Sequence, residues 1–195
     1  MYKKIILFSV CCLLSGFVQA QGFKGGLHVG LLATQVDGDG YGGYNKLGFF
    51  GGIFTNFALP NKTMQLQFEL NYAQKGSAAK PIYRMSMQQV EPTILFGWTF
   101  WKKFMLEAGI SCNILVSAKE YANLMLVPSE FGSNFYRFNV DFIGGLTYRF
   151  NEHWGASFRF SYSTPTGRIN TLSSGKGVEK YMTNSCLLFR LYYQF

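Results

Sequence analysis

The feature that most constrains this sequence is an alternation with a period of two, in which one phase carries no charge. Met64, Leu66, Phe68, Leu70 and Tyr72 interleave with Gln65, Gln67, Glu69 and Asn71. Trp154, Ala156, Phe158, Phe160 and Tyr162 interleave with Gly155, Ser157, Arg159 and Ser161. Successive side chains of a β-strand point to opposite faces, so this pattern marks strands with two unlike faces. Eight such segments can be placed, at about 22–33, 47–59, 64–76, 87–100, 104–118, 136–150, 154–164 and 181–195. After residue 20 no run reaches the ~18 consecutive apolar residues of a membrane-spanning helix.

The apolar phase includes Leu27, Val29 and Leu31, then Ile94, Phe96 and Trp98, then Phe138, Phe142 and Leu146. None of its positions is charged, although 14% of the chain is. The opposite phase carries Lys24, His28, Glu69, Glu91, Glu107, Asp141, Arg149, Arg159 and Arg190 among many Gly, Ser, Thr, Asn and Gln. A soluble sandwich would bury the first phase and expose the second. That leaves unexplained why every segment's apolar phase is aromatic-rich and charge-free. Lipid explains it, because a charge facing the bilayer midplane costs about 2–4 kcal/mol. A closed barrel also pairs every backbone group, which a bilayer requires. The reading is an all-β, eight-stranded antiparallel up-and-down transmembrane β-barrel with a polar lumen and an apolar, aromatic exterior. The aromatics gather near strand ends, as an interfacial girdle does. Phe23, Phe100, Trp101, Phe104, Phe150, Trp154 and Phe195 mark one end, and Tyr72, Tyr121, Tyr136, Tyr162 and Tyr181 the other.

Residues 1–20 read as a cleaved signal peptide. Lys3 and Lys4 precede an apolar stretch from 5 to 17, and Val18-Gln19-Ala20 forms a small-residue cleavage site. Residues 21–195 are then one outer-membrane barrel domain. Tight connections at 60–62, 101–103 and 151–153 alternate with longer ones at 35–46, 77–86, 119–135 and 165–180. Short periplasmic turns and longer external loops are the outer-membrane pattern, and an even strand count puts both termini in the periplasm. The chain closes on Phe189, Leu191, Tyr193 and Phe195, and a terminal aromatic on an amphipathic last strand resembles the signal read by the outer-membrane barrel assembly machinery. Outer-membrane lipid and that machinery are the expected partners.

Several short stretches stand out: Phe23-Lys24-Gly25-Gly26-Leu27, Asn71-Tyr72-Ala73-Gln74-Lys75-Gly76, Pro92, Leu106-Glu107-Ala108-Gly109, Ser117-Ala118-Lys119, Asp141-Phe142 with Gly144-Gly145, and Tyr192-Tyr193-Gln194-Phe195. In these the chain resembles the PorT-like family of small outer-membrane β-barrel proteins of Gram-negative bacteria. The resemblance implies the fold, and for some relatives a link to secretion and gliding machinery. The family's acidic residue usually stands two places before the proline, whereas Glu91 stands immediately before Pro92. A proline loses one ladder hydrogen bond, which predicts a bulge near Pro92.

The sequence presents no catalytic constellation, no cofactor or metal motif, and no nucleic-acid motif. His28 falls mid-strand and His153 in a tight turn, neither beside a rim Ser or acid suited to hydrolysis. Asp37-Gly38-Asp39-Gly40 lacks the further ligands of a calcium loop. Cys112 and Cys186 fall on opposite faces of non-neighbouring strands, against a disulfide. Function is left to the lumen and the loops. Lys24, Arg149, Arg159 and Arg190 against Glu69, Glu91, Glu107 and Asp141 give a balanced interior, read as a salt-bridged plug in a barrel narrow enough for side chains to fill. Arg149 with Glu107 is the expected pair. The apolar Leu124, Met125, Leu126, Val127 and Phe131 mark one long connection as a partner surface, or else as a segment that folds over the barrel mouth or extends the strands above the membrane. A structural or interaction barrel is the leading reading; a narrow pore for small solutes or ions is the alternative.

Overall fold

The computed structural model describes residues 23–37, 43–61, 63–79, 83–122, 125–126, 134–169 and 180–195. The expected signal peptide lies outside the described residues, as do Leu124, Val127, Phe131 and residues 38–40. The strands are β1 (Phe23–Asp37), β2 (Lys46–Ala58), β3 (Met64–Ala79), β4 (Tyr83–Trp101), β5 (Phe104–Ala122), β6 (Met125–Leu126), β7 (Asn134–Phe135), β8 (Phe138–Arg149), β9 (Trp154–Ser163), β10 (Gly167–Ile169) and β11 (Lys180–Gln194). Eight of them close a ring in the order β1-β2-β3-β4-β5-β8-β9-β11, completed by antiparallel β1–β11 pairing from Gly26↔Gln194 to Asp37↔Thr183. The short β6, β7 and β10 extend the wall at the end carrying the long connections: β6 on β5, and β7 through β10 on β11.

The faces fall as the alternation requires. Leu31, Leu47, Phe138, Phe142 and Phe189 are exposed, whereas Glu69, Glu107, Asp141, Arg159 and Arg190 are buried. The tight-turn end carries an aromatic band whose members touch: Phe23–Phe57 centroids lie 4.9 Å apart, Phe104–Tyr148 4.8 Å, and Trp154–Tyr193 5.0 Å.

Two expectations are corrected. First, β3, β4 and β5 run several residues further at the loop end than the alternation suggested. There the apolar phase changes sides. Val36, Met85, Met87 and Met182 turn inward and pack together, while Arg84 and Lys119 face out. This part of the wall is built like a soluble protein, apolar inside and polar outside. Strands of 19 residues, as β4 and β5 are, also exceed the ~9–11 that a bilayer crossing needs. Second, the bulge expected near Pro92 falls a few residues before it rather than at the proline, and the β4–β5 ladder skips Glu91 and Pro92 themselves. The register shifts between Gln88 and Gln89, which face Ser117 and Leu115, leaving Val116 as the extra residue on β5. Pro92 faces outward and stays in register with Leu70 of β3. Met125 and Leu126 take the alternative of extending the strands: they form β6, paired with Ala122 and Tyr121 of β5.

Gly76 has φ +140° on β3, and a Cβ there would run into the Met85 carbonyl oxygen of β4. Its own carbonyl accepts the Thr34 hydroxyl from two strands away, at 2.7 Å.

The outward assignment makes a direct prediction. Phe142→Arg, in the middle of β8, loses about 2–4 kcal/mol of folding stability in lipid vesicles. Urea unfolding in vesicles measures it; an unchanged midpoint would mean that Phe142 does not face lipid.

Candidate functional site

The lumen is filled by two ionic clusters. The one nearer the tight turns joins four strands. Arg159 of β9 grips Glu69 of β3 with two nitrogens, Nη1 to Oε2 at 3.0 Å and Nη2 to Oε1 at 2.9 Å. In ring order β3 and β9 stand opposite each other, so this fork ties one wall to the other. Arg159 Nε also donates to Glu107 Oε2 of β5 at 2.6 Å. Arg190 of β11 donates to Glu69 Oε1 at 2.7 Å and lies 3.6 Å from Glu107 Oε1. Two cations and two anions therefore form a closed square with no net charge. Neutral groups take up the remaining capacity: Thr147 donates to Glu107, Asn71 and Gln67 donate to Glu69, and Arg190 Nε donates to Ser157. Two inward glycines make room, since a Cβ at Gly30 would press on Arg190 and one at Gly145 on Arg159.

His28 belongs to this layer. Its ring stacks between Phe50 and Phe54, with centroids at 5.2 and 5.8 Å. Nδ1 lies 3.1 Å from Arg190 Nη1, and Nε2 lies 2.7 Å from Asn71 Oδ1. A guanidinium only donates, so Nδ1 accepts. The ring is therefore neutral and carries its proton on Nε2, which donates to Asn71.

The second cluster lies toward the loop end. Lys75 Nζ of β3 sits 2.6 Å from Glu91 Oε1 of β4 and 2.5 Å from Asp141 Oδ2 of β8. Lys46, also buried, donates to the Lys75 carbonyl at 2.8 Å. Beside this cluster, Leu32, Phe50, Ala73, Cys186 and Leu188 form an apolar wall. Cys112 and Cys186 are both free, the first exposed and the second buried.

Six of the eight residues expected in the lumen network are buried in it: Glu69, Glu91, Glu107, Asp141, Arg159 and Arg190. Lys24 and Arg149 are not. Lys24 is exposed at the mouth, and Arg149 reaches Gln65 Oε1 at 2.9 Å and Met105 Sδ at 3.3 Å. The expected Arg149–Glu107 pair does not form, because Arg159 and Thr147 already occupy the Glu107 carboxylate. Arg149 instead heads an amide relay along β3, in which Gln65 donates to Gln67 and Gln67 to Glu69. The cation that balances Glu91 and Asp141 is Lys75, which the sequence reading missed together with the buried Lys46, whose Nζ donates to the Lys75 carbonyl oxygen. Parity gave the signal: Lys75 shares the phase of Glu69, and Lys46 that of Asn56.

β11 carries Phe189, Leu191, Tyr193 and Phe195 on its outward side, and the Tyr193 and Phe195 rings meet edge-on with centroids 5.6 Å apart.

The sequence matches the family described as outer membrane protein beta-barrel domain over residues 19–164. The chain belongs to this family. The fold is shared with solved structures of low sequence identity. Ail, the attachment invasion locus protein of Yersinia pestis, superposes with a TM-score of 0.55 at 13% identity, covering 89% of this chain and 99% of that one. Neisserial surface protein A superposes with a TM-score of 0.63 at 11% identity, covering 90% and 100%. Both likenesses carry the fold alone. A search of curated proteins finds no match. Family and fold together place the chain in the outer membrane.

Removing one carboxylate of the square strands two buried guanidiniums. Glu69→Gln should therefore cost about 3–5 kcal/mol. Arg149→Gln, which loses only a neutral acceptor, should cost about 1 kcal/mol. Unfolding titrations of both variants in one detergent measure the contrast, and equal losses would remove the square from its place as the interior's main tie.

Proposed function

We propose that this protein is a structural and interaction component of the outer membrane, with a lumen closed to solutes. One observation carries the reading: the cavities left within the ionic interior are of about 10 and 20 Å³. Each has room for roughly one water molecule. A solute would have to break buried ion pairs on opposite walls to pass.

Interaction then belongs to the ends. The extended wall at the loop end, with Met125 and Leu126 exposed on β6, offers a surface to a protein partner. In this reading the tight turns and both termini face the periplasm, and residues 1–20 are removed on export. Phe189, Leu191, Tyr193 and Phe195 present the last strand to the barrel assembly machinery. A place beside secretion machinery is supported by the PorT-like motifs alone. The reading includes no enzymatic activity, and is supported by the engagement of both histidines: His28 is held between two phenylalanines and its hydrogen-bond partners, and His153 Nδ1 lies 2.9 Å from the Gln194 carbonyl oxygen. The narrow-pore alternative draws support from an open cavity of about 580 Å³ at the tight-turn end.

Planar-bilayer recording of the purified protein in high salt separates the two readings. The closed reading expects no discrete conductance steps. Steady steps whose ion selectivity changes in Glu107→Ala would overturn it in favour of a pore.

A further inference from the structure

The cavity at the tight-turn end is a cup rather than a channel. Its volume is about 580 Å³, within the range of about 300–1,000 Å³ typical of small-molecule sites. Beneath it lies the Glu69–Glu107–Arg159–Arg190 square, with only the 10 Å³ cavity between. Four cations line the cup: Lys24 at the start of β1, Lys102 and Lys103 in the β4–β5 turn, and Arg149 at the end of β8. Among the described residues Glu152 is the one acidic side chain in the lining. Among the described residues, no carboxylate pairs with any of the four cations. Lys103 is aimed at neutral groups, the Phe150 carbonyl at 3.4 Å and the face of the Tyr148 ring at 5.9 Å. Arg149 is likewise held by the neutral Gln65 and Met105. The contrast with the interior is sharp: every buried acid there has a cation, whereas the cup holds four cations and one acidic side chain.

We infer that this cup is a binding site for a phosphate-bearing anion. Like charges converging on a low-dielectric concavity focus a positive potential into it. A compact, multiply charged oxyanion relieves that potential with the fewest atoms. The guanidinium of Arg149 matches the oxygens of a phosphate in geometry as well as charge. Amide groups of Asn56 and Gln194, joined at 2.9 Å, add neutral polar partners. The position of the rim agrees. Phe150 lines the cup and also contacts Tyr148 in the aromatic band, with centroids 5.5 Å apart. Such bands sit at the depth of lipid headgroups. The phosphate is therefore available from two sources, an anionic lipid headgroup or a soluble phosphate ester.

Calorimetric titration of the full protein in a nonionic detergent tests this. One probe is inorganic pyrophosphate, and the other is short-chain phosphatidylglycerol below its micellar concentration. Saturable binding of pyrophosphate is expected. It should weaken about tenfold in Lys102→Gln/Lys103→Gln, as the loss of two partly exposed charge contacts implies. It should also weaken in Arg149→Gln, and not in Lys119→Gln at the loop end. Phosphatidylglycerol that competes with pyrophosphate assigns the site to lipid headgroups, whereas pyrophosphate binding without such competition assigns it to soluble esters. No saturable binding of either probe, or affinities unchanged in both cup variants, overturns the proposal. The Lys102 and Lys103 side chains are exposed in a turn, so that variant keeps its fold, and an unchanged thermal midpoint verifies it.

Discussion

Ring closure by β1 and β11 is the constraint on which the rest of this protein depends. A hydrocarbon layer offers backbone N–H and C=O groups no alternative partner, so a sheet with two free edges cannot cross it. Twelve residue pairs between the first and last long strands remove those edges. Closure with only eight strands then dictates the interior. A ring of that size is wide enough for side chains and too narrow for bulk water, so the inward residues must satisfy one another. The square of Glu69, Glu107, Arg159 and Arg190 is a solution to that requirement, since each charge finds its opposite across the lumen rather than beside it.

The same geometry gives the molecule three zones along its axis. In the middle, the exterior is apolar and the interior ionic. At the loop end the relation reverses, with Met85, Met87 and Met182 inside and Arg84 and Lys119 outside, because water rather than lipid surrounds the wall. At the tight-turn end the interior opens into a cup whose cations are not neutralised. Where burial makes an unpaired acid costly each carboxylate has a cation, two for two in the square and Lys75 shared by Glu91 and Asp141, whereas the cup, which water reaches, gathers cations without carboxylate partners. That distribution argues that the cup's charge answers to something other than stability.

Much of this was legible beforehand because a lipid-spanning strand leaves a strong period-two trace. The barrel, the outward phase, six of the eight lumen charges and the free cysteines could all be read from parity. The errors have one physical origin. Parity says which face a residue occupies but not how deep along the axis it lies, nor which carboxylate its side chain can reach. Lys24 and Arg149 have the inward phase but lie at the mouth. Lys75 also has that phase, and parity alone does not show that it reaches Glu91 and Asp141. The loop-end extensions were hidden because the apolar phase moves inward there, and a reading tuned to lipid stops where the pattern changes sides.

The sequence by itself determined the strand pattern, the face that meets lipid and the inward phase of the acids. Each follows from local alternation and from the cost of placing a charge in hydrocarbon. Only the tertiary structure decided which charges pair. That depends on which strands stand opposite in the ring and on where small residues leave room, as Gly30 and Gly145 do for the two arginines. It also decided that paired charges fill the middle of the lumen while a cup opens at one end, because depth along a closed ring is set by stagger between strands that are distant in the chain.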